Sequence, residues 1–218
     1  MEEKTIIVRQ WGRIVGGLLI FALGVHLTIH ANIGLAPWDC LGMGISGHTP
    51  LNYGLAMTAM AVLILLLDVW MGEKIGCGTI IDALLTGNFV EMFNRLSLFP
   101  AVPHPAAAVA VMVAGLALMA WGQYYYMSSA QGCGPRDTLL IGLGKRLRRL
   151  PIGLVEILLW AAVLLAGWLL GGPVGLGTLI CTFGAGAVMQ MIYSRIHFEP
   201  RAVQHRSVLE IMRILKAD

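Results

Sequence analysis

A chain of 218 residues that is 57% hydrophobic, only 12% charged and formally +3, with a mean hydropathy of +0.77, is not composed like a soluble domain. Soluble domains carry about 25% charged residues, and a helix crossing a bilayer needs about 20 mostly apolar ones. The composition specifies an all-α polytopic membrane protein whose main partner is the lipid bilayer, with no nucleic acid expected.

The start, MEEKTIIVRQWGR, is charged throughout, and the apolar run behind it has span length and no small-residue cleavage site, so no removable signal peptide is expected. Six apolar runs follow in chain order: Ile14–His30, Tyr53–Met71, Gly76–Phe93, Ala106–Met127, Ile152–Leu170 and Val174–Tyr193. Six spans return the chain to the side on which it began. With the N-terminus cytoplasmic, every Lys and Arg except Arg95 and Arg136 falls inside, which is the expected positive-inside bias. After Tyr193, Ser207 and Glu210 have capping-box spacing, and Val208, Ile211, Met212 and Leu215 share one helical face. The tail therefore reads as a cytoplasmic amphipathic helix on the membrane or against the bundle.

Between the first two runs lies GLAPWDCLG, and between the fourth and fifth lies GCGPRDTLL. The two segments align at a spacing of 98 residues, as Gly34/Gly132, Pro37/Pro135 and Asp39/Asp137. The same spacing holds upstream at Gly17/Gly115 and Gly24/Gly122. Downstream it becomes 99, at Gly54/Gly153, Gly72/Gly171, Gly76/Gly175, Gly78/Gly177, Thr79/Thr178 and Gly87/Gly186. Each copy holds three expected spans, so the second would be inverted relative to the first, a pattern common in secondary transporters. The expected organisation is a cytoplasmic N-terminus (1–12), a first repeat (13–98), a second, inverted repeat (99–196) and the cytoplasmic tail (197–218).

Proline at the first helical position with an aspartate two residues on is a helix start: Ala36 or Gly134 at the N-cap, Pro37 or Pro135 at N1, Asp39 or Asp137 at N3. A helix from Pro37 to about Ser46 is about 15 Å long at about 1.5 Å per residue, half of the roughly 30 Å hydrocarbon core. It suits a re-entrant half-helix, which needs a protein or aqueous lining at that depth. Gly34, Gly132, Gly76, Gly78, Thr79, Gly175, Gly177 and Thr178 are assigned to the turns around these half-helices.

The pattern G-x-x-P-x-D followed by G-x-G-T, present here as Gly34, Pro37, Asp39 with Gly76, Gly78, Thr79 and again as Gly132, Pro135, Asp137 with Gly175, Gly177, Thr178, resembles the YczE/YyaS/YitT family of bacterial integral membrane proteins. The resemblance spans about residues 10–196 and is nearest the YczE-like branch. It implies a permease of the bacterial cytoplasmic membrane, and a link of some members to pyridoxal-phosphate-dependent regulators implies a vitamin-like or amino-acid-like solute.

Ionisable groups at membrane depth are costly and mark candidate sites. Asp39, Asp137 and Asp82 are the candidates for binding solute or a coupling ion, with two readings open for each: lining a central cavity or capping a helix. Trp38 and Arg136 occupy equivalent positions, and Arg136 has three readings: pairing with Asp137, binding an anionic group, or joining the basic loop KRLRR, of which the last is the plainest. Glu91 is expected to pair with Arg95 one turn on. Asp68 and Glu156 are expected at the interface. His26 and His30 share a face, with Gln123, Tyr124, Tyr125, Tyr126 and Ser128 near the equivalent one, read either as an interfacial belt or as a cavity border. Cys40, Cys77, Cys133 and Cys181 lack CxxC spacing and read as small buried residues, so no metal, redox site or cofactor is expected.

The leading functional expectation is a secondary transporter moving a small polar solute by alternating access. A channel-like pore built from paired half-helices, a non-transporting scaffold and a membrane enzyme are the alternatives. No H-E-x-x-H, G-x-S-x-G or P-loop motif is present, so neither catalysis nor ATP coupling is expected. The sequence leaves open whether the chain assembles as a homo-oligomer.

Overall fold

The computed structural model of the protein describes residues 2–96 and 98–199, together with residues 203, 207, 208 and 210. All regular structure among them is helical: α1 (Glu2–His30), α2 (Pro37–His48), α3 (Tyr53–Trp70), α4 (Cys77–Leu96), α5 (Pro105–Met127), α6 (Pro135–Arg146), α7 (Ile152–Leu169), α8 (Leu176–Leu179) and α9 (Ala185–Arg195). A π-helical turn, Ile180–Gly184, joins α8 to α9 in one rod.

Among the described residues, four stretches are long and apolar enough to cross a membrane: Arg9–His30, Tyr53–Trp70, Pro105–Met127 and Leu176–Arg195. The apolar stretch of α7, Gly153–Leu169, is shorter, and α4 is interrupted by Asp82, Asn88, Glu91 and Asn94. The helical membrane class is thus met, with α4 and α7 less apolar or shorter than an independent span.

α1 and α5 pack through glycine. A Cβ on Gly17 would stand 2.8 Å from the Gly122 carbonyl oxygen, and one on Gly24 would stand 2.6 Å from that of Gly115. Small residues let membrane helices approach until their backbones touch. Each of these contacts maps onto the other under the 98-residue spacing. The turns obey it too: Asn32 and Ala130 take φ of 51° and 57°, Gly34 and Gly132 take 110° and 121°, and Gly72 and Gly171 both take 76°.

The loops sort to two ends of the bundle. At one end Lys145 Nζ lies 2.6 Å from Glu73 Oε2, and Arg146 donates to the Met71 carbonyl at 3.3 Å while its guanidinium lies over Trp70. The tail reaches the same end. Ser207 N donates to Glu210 Oε2 at 3.1 Å and Glu210 N to Ser207 Oγ at 3.3 Å, the reciprocal pair of a capping box. Val208 N donates to the Ile75 carbonyl at 3.0 Å, so this part of the tail docks on the bundle. Ile211, Met212 and Leu215 of the expected apolar face lie outside the described residues. At the opposite end His30 Nε2 lies 2.9 Å from the Pro100 carbonyl oxygen, and Arg95 Nε lies 2.8 Å from Glu91 Oε1, the expected one-turn pair.

Asp68, expected at the interface, lies near the end of α3 and is covered by protein. It is fully buried, and neither carboxylate oxygen has a hydrogen-bond partner among the described residues. The cause is local: the chain folds back after α3 so that Glu73 N donates to the Asp68 carbonyl at 3.0 Å, covering the end of the helix.

Candidate substrate cavity

Two clasps position the half-helices. Gly76 N donates to Thr79 Oγ1 at 3.3 Å, and Gly175 N donates to Thr178 Oγ1 at 3.1 Å, so each threonine holds the glycine three residues before it. The turn thus formed grips the other half of the chain. Gly78 N donates to the Gln131 carbonyl at 2.7 Å, and Gly177 N donates to the Ile33 carbonyl at 2.6 Å. A Cβ on Gly34 would stand 2.9 Å from Thr178 Oγ1 and 2.8 Å from Gly175 Cα, while one on Gly132 would stand 2.5 Å from Thr79 Oγ1 and 2.9 Å from Gly76 Cα. Both glycines combine positive φ with this close approach, and only glycine tolerates the two together.

Immediately beyond the clasps α2 and α6 begin as the sequence prescribes, with Ala36 and Gly134 at the N-caps and Pro37 and Pro135 at N1. Each runs 12 residues, about 18 Å at about 1.5 Å per residue, too short to span. Their first turns face a cavity of about 290 Å³.

Trp38, Asp39, Asp82, Arg136 and Asp137 all line that cavity. Asp39 Oδ1 accepts from the Tyr53 hydroxyl at 2.9 Å, and Asp82 accepts from the Thr86 hydroxyl. A Cβ on Gly134 would stand 2.7 Å from Asp82 Oδ2 and 3.6 Å from both Asp137 Oδ2 and the Tyr126 hydroxyl, so three oxygens converge at the start of α6. The Arg136 guanidinium lies over the Trp38 ring, 5.1 Å from its centroid. These two residues are equivalent at the 98-residue spacing, and both line the cavity.

This placement overturns the plainest expectation for Arg136, that it joins the KRLRR loop. Its position in the first turn of α6 directs it to the cavity instead. Glu156, also expected at the interface, lines the cavity from the first turns of α7. Of the two polar faces weighed in the sequence, Gln123 and Tyr126 border the cavity. His26 does not: it is buried, with Nδ1 2.6 Å from Asn94 Oδ1, among Phe93, Phe99 and His30. Tyr53, Met57 and Trp160 also line it and carry no sequence signal beyond lying in apolar runs. The four cysteines are unpaired, and no group of three or more metal-ligating side chains occurs among the described residues.

Residues 8–194 match the family described as "Family of unknown function (DUF6198)". The chain belongs to this family. It is similar to the Bacillus subtilis protein named "Uncharacterized membrane protein YczE", with 29% identity over 193 residues, 86% of each chain. It is also similar to an "Uncharacterized protein" of Haemophilus influenzae, with 30% identity over 198 residues, 89% of this chain and 86% of the relative. The "Uncharacterized protein YyaS" of Bacillus subtilis is 26% identical over 180 residues, 80% of this chain and 88% of the relative. These are the relatives the paired motifs point to. No solved structure matches the chain.

Proposed function

We propose that this DUF6198 family member is a secondary transporter of the bacterial cytoplasmic membrane, with six spans in two inverted three-helix repeats and both termini cytoplasmic. It moves a small polar, vitamin-like or amino-acid-like solute by alternating access around the carboxylates of the central cavity.

The observation that carries this reading is that equivalent helix pairs pack unequally. In the first repeat α3 and α4 touch backbone to backbone: a Cβ on Gly54 would stand 2.8 Å from the Gly87 carbonyl oxygen, and one on Gly87 would stand 2.7 Å from that of Gly54. Their equivalents Gly153 on α7 and Gly186 on α9 carry the same small residues, yet a Cβ on either would meet nothing within 4 Å among the described residues. The cavity is lined by both of these helices, through Glu156 and Trp160 of α7 and Gly186 and Met189 of α9. Under the charge bias, the closed pair lies on the outer side and the open pair on the inner side. Two halves of like sequence in unlike packing are what an inward-open carrier presents, and exchanging the two packings gives its outward-open state.

The π-helical turn supports the same reading. It falls in the second repeat, at the positions equivalent to Ile81–Leu85 of the regular helix α4. Such turns recur where a helix must change shape for function.

The test is uptake into proteoliposomes across a panel of amines, amino acids and vitamins, with counterflow as the readout. Saturable flux with counterflow, lost in Asp39→Asn and Asp137→Asn, is expected. Linear flux without counterflow would instead establish a pore, and normal transport by both variants would remove the carboxylates from the mechanism.

A further inference from the structure

The cavity is lined by four carboxylates, Asp39, Asp82, Asp137 and Glu156, and by one cationic side chain, Arg136. Arg136 is within electrostatic reach of Asp39, Asp82 and Asp137, yet no ion pair among the described residues joins it to any of them. Its guanidinium rests on the face of Trp38, and its one hydrogen bond among the described residues is a long contact of 3.9 Å to Met57 Sδ, a weak acceptor. A guanidinium has five N–H donors, and most of these have no acceptor among the described residues. The carboxylates take hydroxyl donors instead, Tyr53 for Asp39 and Thr86 for Asp82.

This arrangement has the parts of an organic-cation site. An aromatic face attracts a cation through its quadrupole, most strongly when that face is indole and water is excluded. Carboxylates lining the same cavity supply the opposite charge. Phe21, Val25, Leu116, Met119 and Leu159 line the remaining space and would accept an apolar body. Arg136 occupies the aromatic face without being locked there by a bidentate carboxylate, the contact that normally fixes a buried arginine.

We infer that the Trp38 face, flanked by Asp39, Asp82 and Asp137, is the binding seat for a small organic cation, an ammonium or guanidinium with an apolar body, and that Arg136 is a tethered surrogate that holds the seat until the solute displaces it. This rests on the transporter reading above and narrows its solute class. It also opposes the other role open to an arginine in a cavity, the capture of an anionic solute: the sign of the effect of removing Arg136 separates the two.

The experiment is calorimetric titration of the purified full-length protein with n-butylguanidinium and n-butylammonium, with butyrate and 1-butanol as controls of matched size. Wild type should bind the two cations saturably and neither control. Arg136→Gln, which vacates the seat, should tighten cation binding roughly tenfold, and Trp38→Leu should weaken it roughly tenfold while Trp38→Phe retains most of it. Binding of butyrate to wild type, with loss in Arg136→Gln, overturns the inference in favour of an anion site. Absence of cation binding in wild type overturns it as well, whatever becomes of the variants. If Arg136→Gln is not monodisperse, the wild-type panel and the Trp38 pair decide. Cation binding without uptake or counterflow would leave the seat standing and remove the transporter reading, whereas counterflow of a neutral or anionic solute without cation binding would do the reverse.

Discussion

Adding a single methyl group at Gly54 and at Gly153 should push the protein in opposite directions. In Gly54→Ala the new Cβ would stand 2.8 Å from the Gly87 carbonyl oxygen and 2.7 Å from Glu91 Cβ, both on α4 and neither at the free end of a flexible side chain. Relieving the overlap requires α3 and α4 to part, and overpacking of this kind costs about 1–3 kcal/mol. That cost falls only on the state in which the pair is closed, so the inward-to-outward ratio should drop about 5- to 150-fold. Gly153→Ala meets nothing within 4 Å among the described residues, but in the exchanged packing it would strike α9 as Gly54 would strike α4. It should deepen the inward preference by a similar factor. Accessibility reads this directly. Met189 lines the cavity on α9, and Met189→Cys in a background with the four native cysteines replaced can be labelled in proteoliposomes by a membrane-impermeant thiosulfonate from either side. Gly54→Ala should slow labelling from the cytoplasmic side and raise it from the outer side, and Gly153→Ala should do the opposite. Equal effects of the two changes, or no effect of Gly54→Ala, would refute the reasoning.

The clasps predict paired behaviour: Thr79→Val and Thr178→Val each strand a glycine amide, at about 1–3 kcal/mol apiece, and thermal unfolding should show two losses of similar size. Gly134→Ala drives a Cβ to within 2.7 Å of Asp82 Oδ2, which can swing away. Its thermal midpoint should move little, while solute affinity falls roughly tenfold as Asp82 leaves the cluster. Lys145→Ala removes the partner of Glu73, whose side chain is only 8% exposed, and should cost about 1–3 kcal/mol in the same unfolding assay, with solute binding unchanged.

What the sequence disclosed and what it withheld divide along physical lines. Pro37, Pro135, Gly34 and Gly132 announced the half-helices because each answers a backbone demand that few residue types meet. Thr79 and Thr178 were visible for the same reason, since a hydroxyl three residues after a glycine fits one kind of turn. The burial of Asp68 and the cavity position of Glu156 had no signal because they depend on how the chain folds back, which composition does not encode. Arg136 was misplaced because neighbouring basic residues suggested a loop, whereas its contact with Trp38 arises only when the two halves meet. The open gap between α7 and α9 had no signal at all: Gly153 and Gly186 look as ready to close as Gly54 and Gly87, and like sequences do not tell which of two packings is occupied.

The reciprocal clasps also set an order of assembly. The turn at Ile33 and Gly34 finds its partners only at Pro173–Gly177, which leave the ribosome about 140 residues later, and until then its amides and carbonyls have no protein partner. The first half must therefore wait in the insertion machinery or at the polar membrane surface, and it completes its fold only when the second half threads into it. Neither half is a free-standing unit, for each supplies the other's missing turn. Expressed as two separate chains broken between α4 and α5, the halves should each be degraded alone and accumulate only together.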